Sequence, residues 1–341
     1  MNDRTPLLEV ENLTVQYRSR RGAASTAVRD ASLRIEAGET VGLVGESGSG
    51  KSTLANAVLG MVEVAEGRIR FQGEDVTHAK AGRRRSLSED LSVVFQDPYS
   101  SLNPSRTIGQ TLEEPLLVHR HLSRREKSAA VEAALLRVGL PPSAADRYPG
   151  AFSGGQRQRI SIARALMLSP KLVICDEAVS ALDLSVQAQV LNLLRDLQRE
   201  LSLGYLFISH DLEVVKHVCH RVIVMYRGRV VEEGPADIVC ERPQHPYTRM
   251  LLEAVPVPDP EDQSRRREDR RERLGAGSTV ARASGGATDT GCPFVARCAF
   301  ATQICKEVMP PMKPIAETDG AVQAACHWLA AQDVAEKEVI A

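Results

Sequence analysis

Apolar positions along the chain switch between a period of two and a helical period, and the switches mark out an α/β alternation. Residues 7–18 (LLEVENLTVQYR) alternate apolar and polar and predict a half-buried strand, with Tyr17 where it runs out. Ala31–Ile35 predicts a second strand, closed by the turn Ala37-Gly38-Glu39. Thr40–Val44 (TVGLV) is short, apolar and β-branched, as a buried strand is, and Lys51–Leu59 follows as a helix with Leu54, Ala57 and Val58 on one face. Further strands are predicted at Gly67–Phe71, Leu91–Phe95, Leu172–Cys175, Tyr205–Ile208, Arg221–Met225 and Arg229–Glu232. Ala79–Arg85 is basic and predicts a solvated loop or helix face. Residues 107–140 read as helical, with Leu112, Leu116, Val131, Leu135 and Leu136 apolar, and end at Gly139 and Pro141-Pro142. That helical stretch interrupts the alternation and predicts a subdomain, about residues 100–168. Ile160–Met167 and Val186–Leu201 supply two more helices.

Between the third strand and its helix lies Gly45-Glu46-Ser47-Gly48-Ser49-Gly50-Lys51-Ser52-Thr53, which fits the phosphate-binding loop pattern G-x-x-x-x-G-K-S/T. A glycine-rich turn there aims backbone N–H groups into one concavity, and the helix start adds partial positive charge, so the place suits a polyphosphate. Lys51 would reach the β- and γ-phosphates and the Ser52 hydroxyl would hold Mg²⁺. The strand Leu172–Cys175 ends in Asp176 and Glu177. In phosphate-loop nucleotidases an acid at that place is an outer Mg²⁺ ligand, and the next one can orient or deprotonate a water. His210 follows the strand Tyr205–Ile208, at the sheet edge where ligands of α/β folds bind. Gln96 opens a Pro/Ser/Asn-rich loop, QDPYSSLNP. Phe152-Ser153-Gly154-Gly155-Gln156-Arg157 precedes a helix: Ser153 is a good N-cap, and the glycines permit a second anion to approach the free N–H groups. Ser180-Ala181-Leu182-Asp183 forms a turn.

Composition narrows the class. At 341 residues the chain can bury a full core and hold more than one domain. Lys and Arg number 43 and Asp and Glu 44, so no basic excess points to nucleic acid. The start, MNDRTPLLEVENL, has no apolar signal core, and no run approaches the ~18 apolar residues of a membrane helix. These features predict a soluble chain on the cytosolic side, with any membrane role exercised through a partner.

The order of the motifs is more specific than any one of them. Phosphate loop, Gln96 loop, FSGGQRQR, LVICDE, SALD and the ISH strand end together resemble the ATP-binding subunit of an ABC transporter, over about residues 7–256. QDPYSSLNP with Ile108-Gly109, and Arg242-Pro243-Gln244-His245-Pro246-Tyr247-Thr248, narrow the resemblance to the ATPases of dipeptide, oligopeptide and nickel permeases, and to the second of the two such permeases carry. Gly291-Cys292-Pro293-Phe294 with Arg297-Cys298 also fits that group. The resemblance implies a phosphate-loop fold with a mixed sheet, an antiparallel β subdomain, a helical subdomain and a small Cys-rich extension. It divides the chain into an ATP-binding domain (1–256), a charged flexible linker (257–290) and the extension (291–341).

By the same resemblance, Gly45 through Thr53 bind the phosphates of ATP, and Tyr17 stacks on the adenine. Gln96 senses Mg²⁺ and the attacking water, while its loop meets the membrane subunit. Ser153, Gly154, Gly155 and Gln156 form the turn whose Ser153 and Gly155 touch the γ-phosphate held by the opposite subunit. Asp176 binds Mg²⁺ through water, Glu177 is the general base, Asp183 crosses the dimer interface and His210 holds the γ-phosphate. The implied function is ATP hydrolysis that drives uptake of di- or oligopeptides, with nickel or glutathione import as alternatives. The implied partners are a second, non-identical ATPase, two membrane permeases and an extracytoplasmic solute-binding protein, which together hold the chain at the cytoplasmic face of the membrane.

Three positions depart from the pattern: Phe152 replaces Leu, Ala178 replaces Pro and is expected to loosen the turn after Glu177, and residues 264–291 replace a short Pro-rich link. None removes a catalytic group. A soluble ABC ATPase of DNA repair or ribosomes usually brings two modules, zinc insertions or coiled coils, which are not visible. The HPYT run and the cysteines argue against an exporter.

Of seven cysteines, Cys292, Cys298, Cys305 and Cys326 cluster near the end, and Cys175 reads as a core residue. The cluster has no C-x-x-C pair and so fits the usual structural zinc pattern poorly. Four thiolates would serve zinc or a 4Fe–4S cluster, and free thiols stay open. Similar peptide-permease ATPases carry a 4Fe–4S cluster there, which is the expectation taken forward.

Overall fold

A computed structural model describes residues 5–18, 24–97, 101–254 and 290–329. Of the expected linker only residue 290 is described, and residues 98–100 and 330–341 also lie outside. In chain order the elements begin β1 (Leu8–Arg18), β2 (Ala24–Ile35), β3 (Thr40–Val44), α1 (Lys51–Leu59), β4 (Glu66–Phe71), β5 (Glu74–Asp75), α2 (Ala81–Asp90) and β6 (Leu91–Val94). There follow α3 (Ile108–His119), α4 (Arg124–Arg137), α5 (Gly154–Leu166), β7 (Leu172–Asp176), α6 (Leu184–Leu201), β8 (Gly204–Ser209) and α7 (Leu212–Val218). β9 (Arg221–Tyr226), β10 (Arg229–Pro235), α8 (Ala236–Glu241), α9 (Pro246–Glu253), α10 (Gln303–Glu307), β11 (Lys313–Pro314) and β12 (Gln323–Ala324) complete the strands and α-helices.

The chain forms two compact units whose boundary passes through β3. The first holds the chain to Val15, Ser32–Val41 and Ser52–Ser209. Its sheet order is β6-β7-β8-β3, with β6, β7 and β8 parallel in the register Val94↔Cys175↔Phe207. Strands buried on both faces read as continuous apolar runs, as LVIC and YLFI do here. A second sheet has the order β2-β1-β4-β5, in which β1–β4 and β4–β5 run antiparallel.

The helical subdomain belongs to this unit. The expected helical stretch holds two helices, α3 and α4, each opened by a reciprocal capping box, at Thr107/Gln110 and Ser123/Glu126. Leu112, Leu116, Val131 and Leu135 are buried as expected, but Leu136 is exposed, one position round the helix from the buried face. The basic stretch is largely helical, within α2.

The second unit holds Gln16–Ala31, Gly42–Lys51 and the chain from His210. Its sheet order is β3-β9-β10-β12-β11. β9 and β10 form an antiparallel hairpin closed by Arg227 and Gly228, both at positive φ (47° and 82°), the backbone of a tight hairpin turn. β12 adds to the far edge of β10, with Glu232 opposite Ala324 and the Ala325 N–H donating to the Val231 carbonyl at 2.9 Å.

Candidate functional site

The phosphate loop lies in the second unit up to Lys51. Gly45 has φ 152°, and a Cβ there would stand 2.2 Å from the Met225 carbonyl oxygen. At Gly50 (φ 105°) a Cβ would stand 2.5 Å from the carbonyl oxygen of Ala27. Only glycine fits either position, so the motif's glycines are dictated by backbone packing. The Ser49 N–H closes the loop on the Glu46 carbonyl at 3.1 Å, and the Ser49 carbonyl receives the Gly228 N–H at 2.8 Å. Lys51, 5% exposed, sends its Nζ back to the carbonyls of Gly45 (2.8 Å) and Glu46 (3.0 Å). The ammonium is thereby parked inside the loop, while Ser47 and Gly48 are exposed.

Glu46 is gripped from two directions. Its N–H donates to Tyr247 Oη at 2.8 Å, and its carboxylate takes a forked pair from Arg297, Nη1 to Oε2 at 2.9 Å and Nη2 to Oε1 at 3.0 Å. Tyr247 is wholly buried, and burial pushes its hydroxyl up to about 12. Beneath it, buried Glu232 accepts the N–H groups of Gln244 (2.7 Å) and His245 (2.9 Å). His245 Nδ1 in turn accepts the Tyr247 N–H at 3.0 Å. Sequence reading used His245-Pro246-Tyr247 only as a family mark. No spacing rule pairs residues 201 and 251 positions apart, so these contacts with the loop were out of its reach.

In the first unit, Ser52 Oγ donates to Asp176 Oδ1 at 3.1 Å. A hydroxyl and a carboxylate oxygen so close form a hard-oxygen donor pair that fits Mg²⁺. Glu177 stands in the left-handed region at φ 49°, and its N–H donates to the Ile208 carbonyl at 3.1 Å. A non-glycine residue held there by its surroundings is a frequent mark of a working site. The turn after it is closed: the Ser180 N–H and Oγ both donate to the Glu177 carbonyl, at 3.1 and 3.0 Å. Ala178 is buried within it, so the expected loosening does not occur. Gln96, exposed, donates from Nε2 to Ser180 Oγ at 3.3 Å.

Ser153 caps α5: its Oγ accepts the Gln156 N–H at 3.3 Å, and Gln156 Oε1 accepts the Ser153 N–H at 3.1 Å. Gly155 is buried, and a Cβ there would stand 2.3 Å from Val186 Cγ1, so α5 meets α6 too closely for a side chain. Gly154 is half-buried at the start of that helix. Phe152 keeps its packing, buried with the Arg147 guanidinium 4.7 Å over its ring. Asp183 is exposed and caps α6, and the Val186 N–H holds its carboxyl below the usual range. Thr53 is half-buried in α1. His210 is exposed directly after β8, and Tyr17 is 44% exposed on β1.

The structure lends the expected 4Fe–4S cluster no support. Cys292 and Cys305 are buried, and Cys298 and Cys326 half-buried. Burial pushes the Cys292 thiol up to about 11 and the Cys298 thiol up to about 12, and the neighbouring cysteines of the cluster push both in the same direction. Cys305 Sγ lies 3.3 Å from Thr302 Oγ1, and the Cys292 N–H donates to the Cys305 carbonyl at 2.8 Å. Among the described residues no three His, Cys, Asp or Glu side chains are placed to hold a metal ion. Cys175 is buried in β7, as expected.

Fold and loop together define a phosphate-loop nucleotide-binding protein. Residues 28–180 match the ABC transporter family, and residues 231–305 match the oligopeptide/dipeptide transporter C-terminal region. The chain is 46% identical, over 94% of its length and 89% of the relative's, to a probable peptide ABC transporter ATP-binding protein of Sinorhizobium fredii. It is 45% identical to the oligopeptide transport ATP-binding protein OppF of Salmonella typhimurium, over 92% of this chain and 94% of that one. Among solved structures, cbiO1 of Clostridium perfringens, part of an ABC transporter complex, superposes with a TM-score of 0.62 at 30% identity, covering 70% of this chain and 92% of that chain. A dimeric cassette bound to ADP and phosphate superposes with a TM-score of 0.61 at 27% identity, covering 67% and 98%. The chain belongs to the ABC transporter ATP-binding proteins that carry the oligopeptide/dipeptide transporter C-terminal region.

Proposed function

We propose that this chain is one of two ATPase subunits of an importer of di- or oligopeptides, and that it hydrolyses MgATP to drive uptake. The observation that carries the ATPase reading is the 3.1 Å contact of Ser52 Oγ with Asp176 Oδ1, which puts two hard oxygens at the end of the phosphate loop. Peptide as the cargo is favoured by OppF, an oligopeptide transport protein similar over nearly all of this chain; GsiA, a glutathione import protein of Escherichia coli, is 51% identical over 76% of it.

The residues divide the work. Exposed N–H groups of the loop and Lys51 bind the polyphosphate, and Tyr17 stacks on the base. Ser52 and Asp176 would hold Mg²⁺, which would neutralise charge on the phosphates. Glu177 takes the proton of the attacking water, Gln96 orients that water, and His210 holds the γ-phosphate. Ser153, Gly154, Gly155 and Gln156 present a helix start to the nucleotide held by the opposite subunit, and Asp183 lies at that interface. ATP would draw two such subunits together, and loss of the γ-phosphate would release them.

The assignment of 1–256 to the ATP-binding domain, 257–290 to a linker and 291–341 to an extension belongs to this reading. So do the partners: a non-identical ATPase, two permeases and a solute-binding protein, with the chain at the cytoplasmic face. Among the described residues no helix is long and apolar enough to cross a membrane. A cavity of about 340 Å³ in the first unit, lined by Phe95, Pro115 and Val118 beside the Gln96 loop, supports docking of a permease helix there.

Glu177→Gln tests the chemistry in the assembled transporter. MgATP still binds, and turnover falls by at least the ~10²-fold ascribed to a general base. Normal turnover in this variant removes Glu177 from that role. Uptake of labelled dipeptide, lost in Lys51→Ala, tests the cargo; uptake of nickel or glutathione in its place would reassign it.

A further inference from the structure

The phosphate loop carries its own negative charge, Glu46, one residue after Gly45, where a polyphosphate is to bind. Left unpaired, that carboxylate repels the ligand. It is paired with Arg297, from the far end of the chain, by two parallel hydrogen bonds of 2.9 and 3.0 Å. A forked guanidinium–carboxylate pair fixes both planes as well as cancelling charge.

Arg297 is delivered by a packed platform. Its own N–H donates to the Phe294 carbonyl at 3.0 Å, and Phe294 is buried against Tyr226 and Tyr247, with ring centroids 5.3 and 5.5 Å apart. Nη2 also donates to Met250 Sδ at 3.2 Å. The same Tyr247 takes the Glu46 N–H. The segment is fastened a second time where β12 pairs with β10. Main chain and side chain of one loop residue are thus both set by residues beyond 245.

We infer that Arg297 is a positioning residue for the nucleotide. It acts through Glu46, cancelling the loop's carboxylate and holding it away from the incoming phosphates, so the C-terminal segment is a working part of the ATP site. This rests on the ATP-binding reading and predicts something that reading does not: a distant surface arginine governs nucleotide affinity by charge. The effect is greater for ATP than for ADP, which carries less charge, and shrinks at high salt.

The experiment measures MgATP and MgADP binding, and the KM and kcat of hydrolysis, with the full chain in its assembled transporter. Arg297→Ala is expected to weaken MgATP by about threefold to fivefold, the upper range for a half-exposed ion pair, with kcat within about twofold. Adding Glu46→Gln to Arg297→Ala is expected to restore most of that affinity, because the repelling charge is gone. Arg297→Lys, which keeps the charge but loses the fork, is expected to bind MgATP more weakly than the parent and more tightly than Arg297→Ala. MgATP affinity unchanged in Arg297→Ala overturns the inference. So does a loss that Glu46→Gln fails to relieve, or Arg297→Lys binding as weakly as Arg297→Ala. Failure of the unaltered chain to bind MgATP would instead overturn the ATP-binding reading itself.

Discussion

Ser52 and Asp176, 124 residues apart, share a hydrogen bond of 3.1 Å. The hydroxyl opens α1 and the carboxylate ends β7, so the fold brings two oxygens together from two rigid elements. Asp176→Asn keeps the hydrogen bond acceptor and removes the charge proposed to retain Mg²⁺. We expect Mg²⁺-dependent turnover to fall by about 10–100-fold, the range for a supporting group around a metal, with Mg²⁺-free nucleotide binding little changed. Titrating Mg²⁺ against ATPase rate checks this; an unshifted Mg²⁺ requirement would remove Asp176 from the metal's surroundings.

Ser180 joins two groups that the proposed chemistry needs together. Its Oγ donates to the Glu177 carbonyl and accepts from Gln96 Nε2. The bond to Glu177 helps hold that residue at φ 49°, a conformation it would not choose alone. Ser180→Ala deletes both bonds. At roughly 1 kcal/mol for the one that matters to geometry, kcat falls by about fivefold with ATP affinity unaltered. Single-turnover rates with MgATP decide it, and an unchanged rate would show that Glu177 is held without Ser180.

The α/β order, the strands and the loop were legible in the sequence because each depends on local pattern: TVGLV, LVIC and YLFI are apolar runs of strand length. The glycines at 45 and 50 were legible as a motif, though only packing against Met225 and Ala27 shows why they cannot change. Residues 107–140 were legible as helical, but the place where α3 gives way to α4 was not marked, although the Ser123/Glu126 capping box that starts α4 was there to be read. The cysteine spacing could not settle a ligand, because spacing carries no information about where side chains converge. The hold of Tyr247 and Arg297 on Glu46 was invisible for the opposite reason: the contact is tertiary, and neither residue stands in a local pattern.

Gln158, two residues after the Ser153 cap box, is wholly buried in α5, and both its amide oxygen and nitrogen lack a hydrogen-bond partner. An amide stripped of water without replacement partners costs about 1–3 kcal/mol. Gln158→Met fills similar volume with no polar atom to satisfy. The expected gain is about 1 kcal/mol, read as a rise in melting temperature of about 1–2 °C for a chain of this size. A fall in melting temperature would mean that the amide is satisfied in solution.

Glu232 and His245 give the platform beneath Tyr247 a pH signature. Burial pushes the Glu232 carboxyl up to about 7, although the Gln244 and His245 N–H groups favour its ionised form. A carboxyl raised from 4.5 stabilises fully below pH 4.5 and loses that contribution as pH rises to about 7. Burial lowers His245 from 6.5 to about 4, so its contribution is present above 6.5 and is lost as pH falls toward 4. Between pH 4.5 and 6.5 the two slopes oppose each other. Glu232→Gln removes only the first, leaving stability that rises with pH through this window. Relative to that variant, the parent should lose up to about 3 kcal/mol between pH 4.5 and 7. Urea unfolding of both proteins across the range measures the difference, and a constant difference would show that Glu232 ionises in the folded chain as freely as in the unfolded one.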